Sequence, residues 1–171
     1  DLGKDVVLFC AIDIPKYMHY IKGWDRVVKD WPVDRELAII VDTTSKALLL
    51  KTFEIPGVIH FMESHPVVAI DHHQGVESDL PFEHTVINDV TAVATSEAIY
   101  KMATEAGWEI NQQAAENMFL SIQADSLGLT TQNTTADSYR IAAELGAPRA
   151  NPSAIEQRRR AYMQTPADIR A

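Results

Sequence analysis

One cysteine stands in the 171 residues, and no apolar run approaches the roughly eighteen residues a membrane span needs. The lone Cys10 excludes an internal disulfide framework and suits a reducing cytoplasm, the expected location. It lies within Val6-Val7-Leu8-Phe9-Cys10-Ala11, so a packed strand residue is expected there rather than a nucleophile. No secretory pattern opens the chain, and neither an internal repeat nor a low-complexity tract occurs. Basic residues are scarce. Fifteen Lys and Arg against 24 Asp and Glu give a net charge of −9. That balance argues against a long nucleic-acid track, since neutralising a phosphate backbone needs clustered cations. A small phosphate ester held by metal ions remains open. Arg158-Arg159-Arg160 is the basic cluster of the sequence, and a solvated helix face is its expected role.

The rest is the composition of a globular domain, 46% apolar and 23% charged, and the length suffices for one real core. Val67-Val68-Ala69-Ile70 is a β-branched run of the kind found in strands buried on both faces. It ends abruptly in Asp71-His72-His73. In an open α/β sheet the ligand crevice lies beyond the carboxyl ends of such strands. Leu37-Ala38-Ile39-Ile40-Val41-Asp42 repeats the form, an apolar run closed by an aspartate. Asp42 alone reads as a cap or turn residue. Paired with the second strand, it makes a convergent set of carboxylate and imidazole ligands.

Strand and helix patterns alternate along the chain, which implies an α/β fold with a parallel sheet covered by helices on both faces, followed by a helical segment. Strands are expected over 5–11, 36–41, 66–71 and 84–88, with a helix over 45–53. Four helices follow, over 92–106, 112–125, 135–145 and 152–163, with Asn111 as the N-cap of the second and Gly107 and Gly146 as stops. Asp125 falls at the carboxyl end of a helix, where exposed carbonyls disfavour a negative charge. A metal ion or a nearby Lys or Arg could compensate it, and its position leaves the two open.

The segments "IIVDTTS", "VAIDHHQG", "AVATSEAIY" and "SIQADSLGLTTQNTTADSYRIAAEL" occur in the order found in DHH-family phosphoesterases, and the chain resembles that family from about residue 36 to 163. The resemblance is nearest to the subfamily that degrades very short RNA and dephosphorylates adenosine 3′,5′-bisphosphate. It implies that Asp42 bridges two metal ions, that His72 and Asp125 are metal ligands, that His73 faces the substrate phosphate, and that Asp71 supports them. It implies two Mn²⁺ ions, with Mg²⁺ or Co²⁺ as alternatives, acting on a small nucleotide or short oligonucleotide. A homodimer is left open. Carboxylate and imidazole ligands suit such ions, and two ions clamp an in-line displacement at phosphorus.

The chain departs from the family pattern in two places. The last aspartate is followed by Ser126-Leu127 where Thr-Gly is common, which puts substrate preference in doubt. The opening His-x-x-x-Asp-x-Asp motif has no match; His19 has Gly23 where the first aspartate should be. The resemblance places that motif before Asp1, and the smaller C-terminal substrate-binding domain beyond Ala171, where a helix is expected to open. Residues 1–171 are thus expected to be the core of a longer phosphoesterase. Inorganic pyrophosphate, cyclic dinucleotides, longer single strands (least favoured by the acidic charge) and a non-catalytic binding role are the rival readings.

Elsewhere the bland reading is favoured. His60, His65 and His84 are expected to be surface or satisfied histidines, Lys46 a solvated helix residue, and Trp24, Trp31 and Trp108 core or interface residues. Asn133-Thr134-Thr135 matches a glycosylation sequon but reads better as a turn and cap.

Overall fold

A computed structural model describes residues 3–75, 77–146 and 149–163. The sheet that carries the site has three parallel strands in the order β3 (Ala38–Val41), β4 (Val67–Asp71) and β5 (Thr85–Asn88). Val41 pairs with Ile70, and Asp71 with Asn88. The central strand β4 is buried along nearly its whole length, as its apolar run requires. The flanking strand β3 alternates instead. Ala38 and Ile40 are buried, while Ile39 and Val41 are 57% and 54% exposed. Its apolar run therefore has one covered face, not two.

A separate two-stranded parallel sheet pairs β1 (Leu8–Phe9) with β2 (Val27–Val28). The strand expected over 5–11 shrinks to two residues because pairing with β2 extends no further than the bond from Cys10 N–H to Val28 O (3.0 Å). Val6 and Leu8 are exposed and Cys10 is only half-buried. The helix expected over 45–53 divides into a 3₁₀ turn, Lys46–Leu49, and the short α1 (Leu50–Phe53). Helix α2 (Val58–Ser64), absent from the sequence reading, places Val58, Phe61 and Met62 against Ala38, Ile40, Val67 and Ala69. Trp31 joins this core edge-on to Phe61 and Phe9, while Trp108 is exposed.

The second core is helical. It comprises α3 (Thr95–Glu105), α4 (Gln112–Asp125), α5 (Ala136–Gly146) and α6 (Pro152–Tyr162). Phe119 and Ile122 of α4 meet Ile141 and Leu145 of α5 and Ile155 of α6. Asn111 caps α4 as expected, its side chain accepting from Ala114 N–H at 2.9 Å. Helix α3 starts three residues later than expected, at Thr95, and leaves 89–94 as a loop over the end of β4. The helix expected to open at Ala171 lies outside the described residues. Among those residues no helix is long and apolar enough to cross a membrane.

Candidate metal centre

Parallel pairing brings Asp42 and Asp71 to the same edge of the sheet, since Asp42 N–H continues the ladder to Ile70 O (2.9 Å). Asp42 then leaves the strand at φ +69°. Aspartate tolerates this left-handed backbone better than a bulky residue, because its short side chain can bond locally. The turn lifts its carboxylate off the strand, where Thr95 Oγ1 donates to Oδ1 over 2.7 Å.

Asp71 has a different office. Its carboxylate is 2% exposed and accepts from His72 N–H (2.7 Å), His73 N–H (3.3 Å) and His73 Nδ1 (2.7 Å) through one oxygen. Thr44 Oγ1 approaches the other at 3.4 Å. Burial pushes this carboxyl up, but the bonds from His73 and the two amides outweigh it and hold it below the ordinary range. With its hydrogen bonds made inside the turn, Asp71 shapes the histidine pair.

The two histidines diverge from that turn. His72 Nδ1 lies 3.3 Å from Ala92 O, which makes it the protonated nitrogen and leaves Nε2 3.5 Å from Asp42 Oδ1. Such second-nitrogen bonds orient metal-binding imidazoles. His73 gives Nδ1 to Asp71 and keeps Nε2 available. That bond raises its basicity, burial opposes it, and the charges of Asp71, Asp42 and Asp125 add to it.

Asp42, His72 and His73 each offer a ligand atom within 4.8 Å of the others. Asp125, at the end of α4, is not in that group. It is near enough for burial first, and the Asp42 charge second, to push its carboxyl above the ordinary range, with His72 and His73 pulling it back. Two carboxylates that repel across two imidazoles are a donor set a divalent cation would relieve, and their oxygen and nitrogen character fits Mn²⁺ or a similar ion.

Residues 7–122 match the DHH family, N-terminal domain. The chain belongs to the DHH family. Across 123 residues it is 28% identical to the bifunctional oligoribonuclease and PAP phosphatase NrnA of Mycoplasma pneumoniae, covering 72% of this chain and 36% of that protein. Across 82 residues it is 32% identical to the Bacillus subtilis protein of the same name, covering 46% and 25%. The chain thus spans about a third or less of these relatives. In fold it is similar to an exopolyphosphatase-related protein from Bacteroides fragilis, with a TM-score of 0.71 at 16% identity over 91% of this chain and 47% of that one. A Methanococcus jannaschii protein classed with family II inorganic pyrophosphatases gives 0.55 at 18% identity over 88% and 50%. These two likenesses concern the α/β fold alone.

Within this DHH domain the remaining histidines are satisfied or peripheral. His65 Nδ1 meets Phe61 O at 3.0 Å, and His84 lies between Ser78 Oγ and Phe82 O, each at 2.7 Å. Of the basic cluster, Arg159 and Arg160 pair with Glu156, whereas Arg158 reaches the buried Glu116. Sequence reading missed Thr95, Thr44 and the Ala92 carbonyl as supports of the site. The signal for Thr95 was its place in "AVATSEAIY", but its bond to Asp42 spans 53 positions and becomes visible only in three dimensions.

Proposed function

We propose that this DHH domain is the metal-binding core of a longer phosphoesterase that hydrolyses phosphate esters of small nucleotides, such as very short oligoribonucleotides or adenosine 3′,5′-bisphosphate. The observation that carries this reading is the convergence of Asp42, His72 and His73 at the carboxyl end of adjacent parallel strands. The names of the two relatives support the substrate class.

In this reading Asp42 and His72 hold the metal, with Asp125 completing the set and Mn²⁺ the expected ion. When bound, the metal supplies Lewis-acid polarisation of a phosphoryl oxygen. Thr95 and the Ala92 carbonyl orient the two ligands beforehand, so little reorganisation is needed on binding. His73 turns Nε2 toward the phosphate. The Asp71 bond raises its basicity, so His73 holds a proton more readily than a free imidazole, and a protonated Nε2 would stabilise charge developing on the phosphoryl group. Asp71 keeps that imidazole in place and balances its charge.

The test uses the full-length protein with Mn²⁺, assayed against adenosine 3′,5′-bisphosphate, a dinucleotide of RNA and inorganic pyrophosphate. Turnover of the first two, abolished by Asp42→Ala, is expected. Hydrolysis confined to pyrophosphate would assign the protein to that chemistry instead. Metal binding without any hydrolysis would leave a binding domain.

A further inference from the structure

Beside the histidine pair the surface opens into a cleft of about 520 Å³, lined chiefly by Gln74, Val90, Thr91, Gln132, Asn133 and Thr135. Its size falls within the range of roughly 300–1,000 Å³ typical of small-molecule sites. Its lining is joined to the candidate metal centre through neighbouring residues. Gln74 follows His73 directly and donates from Nε2 to Val90 O at 2.9 Å. Asn88 Nδ2 donates to His73 O at 3.0 Å, and Thr91 precedes the Ala92 carbonyl that faces His72.

Among the described residues no charged side chain lines the cleft. The nearby Lys101 is occupied by Asp89 at 2.9 Å and Glu97 at 3.1 Å. A second phosphate, as in pyrophosphate or polyphosphate, calls for Lys or Arg because charge-assisted bonds are what bind it firmly. This wall offers none. It offers amides instead. Thr91 spends its hydroxyl on Asp89 (2.6 Å), Thr135 shares its hydroxyl with Ser138 (3.1 Å), and Gln74 keeps Oε1 free. The side chains of Gln132 and Asn133 have no hydrogen-bond partner among the described residues. Each amide carries two donors and an acceptor, the mixed complement that the edge of a nucleobase or a ribose hydroxyl presents.

We propose that this cleft receives the nucleoside portion of the substrate, with Gln132 and Asn133 as specificity residues, while the scissile phosphate sits at the histidine pair. The inference rests on the phosphoesterase reading above and adds to it where the nucleoside lies and which side chains read it. It also separates a nucleotide whose one phosphate is the scissile one from inorganic polyphosphates by a feature of this chain.

The test compares kcat/KM of the full-length Mn²⁺-loaded protein for an RNA dinucleotide, whose single phosphate is the scissile one, with that for bis(p-nitrophenyl) phosphate, a phosphodiester without a nucleoside. In the Gln132→Ala/Asn133→Ala double variant the ratio should fall about tenfold, chiefly through the KM for the nucleotide, as loss of neutral hydrogen bonds implies. The turn itself is held by Thr134 N–H to Thr131 O (3.1 Å) and by the two threonine hydroxyls (3.0 Å), so the fold does not depend on the Asn133 amide. A thermal melt checks this, and Gln132→Ala alone carries the same comparison should the double variant melt early. A ratio that stays within about twofold of the parent, well under the value of one hydrogen bond, overturns the proposal. A parent protein that hydrolyses neither nucleotide nor short RNA fails before any variant is made, and that result overturns the phosphoesterase reading and this inference with it.

Discussion

Thr95 donates its hydroxyl to Asp42 Oδ1 over 2.7 Å and so joins the first turn of α3 to the residue that closes β3. Apart from His72 Nε2 at 3.5 Å, Asp42 is otherwise positioned by its backbone, through the left-handed turn and the bond to Ile70 O. The carboxylate is more than half exposed, so without Thr95 it would sample several rotamers. Thr95→Val keeps the shape of this buried side chain and removes the bond. Affinity for Mn²⁺ should drop about 10- to 100-fold, the usual effect of losing a support behind a metal ligand. Titration calorimetry measures it, and an unchanged Kd would reduce Thr95 to a packing residue.

Asp42→Ala and His73→Ala should fail in different ways in the full-length protein. Removing Asp42 takes away a proposed metal ligand, and bound Mn²⁺ and turnover should be lost together. His73 is tied to Asp71 and offers only Nε2 to the cavity. Its removal should leave bound metal near normal while kcat falls about 10²–10³-fold, the cost of an interaction made to developing charge. Metal content and rate are read on the same preparations. Equal loss of metal in both variants would make His73 a ligand, a role its place within 4.8 Å of Asp42 and His72 also permits.

How far these features were legible in the sequence follows from their range. The run 67–71 and the cap at Asn111 are local matters, settled by side-chain branching and a hydrogen bond three residues away, and both were read correctly. Helix α2 is not legible in the sequence because it starts from Gly57 at φ +86° with no side-chain cap, so no polar signal announces it. The sequence pattern starts α3 too early because Ala92-Val93-Ala94 is apolar. What stops it is Glu97 Oε2, which accepts from Val93 N–H at 3.1 Å. Exposure of Ile39 and Val41 could not be read either, since it depends on which elements reach that face. Among candidate site residues, Asp42, His72 and His73 come together as the strand pattern implied. Asp125 stands outside their 4.8 Å group.

Glu97 is the clearest stability determinant near the site. Its side chain is wholly buried and accepts from Val93 N–H and Ser138 Oγ (2.9 Å), with Lys101 Nζ at 3.1 Å from Oε1, an ion-pair distance rather than a well-aligned hydrogen bond. Glu97→Ala leaves a buried amide and hydroxyl short of an acceptor and a half-buried lysine short of one partner. Leaving buried donors without their acceptor costs about 1–3 kcal/mol each, while Lys101 keeps Asp89 as a partner. Denaturant melts should show that loss, and a change below about 1 kcal/mol, the level of an ordinary surface substitution, would mean the network contributes little.

Acid sensitivity should trace in part to Glu116, which lies on α4 away from the site. It is 2% exposed and accepts from Lys22 Nζ (2.9 Å) and Arg158 (2.8 Å), which ties the loop before β2 and helix α6 to α4. Burial pushes its carboxyl up, but Lys22 and Arg158 more than compensate and hold it below the ordinary glutamate range. A depressed carboxyl binds its proton more weakly in the folded chain than in the unfolded one, so its stabilisation is fully present above the unfolded value of about 4.3. It is lost as pH falls through the lower folded value. Both cations are partly solvated, which limits the contribution to about 1–3 kcal/mol at neutral pH. Glu116→Gln should therefore lower Tm by several degrees at pH 7, about 2–4 °C for each kcal/mol. The gap between parent and variant should then close as the melts are repeated at falling pH and the parent carboxyl takes up its proton. A gap that stays constant as the pH falls would show that Glu116 acts through shape and packing, and that its charge does not contribute.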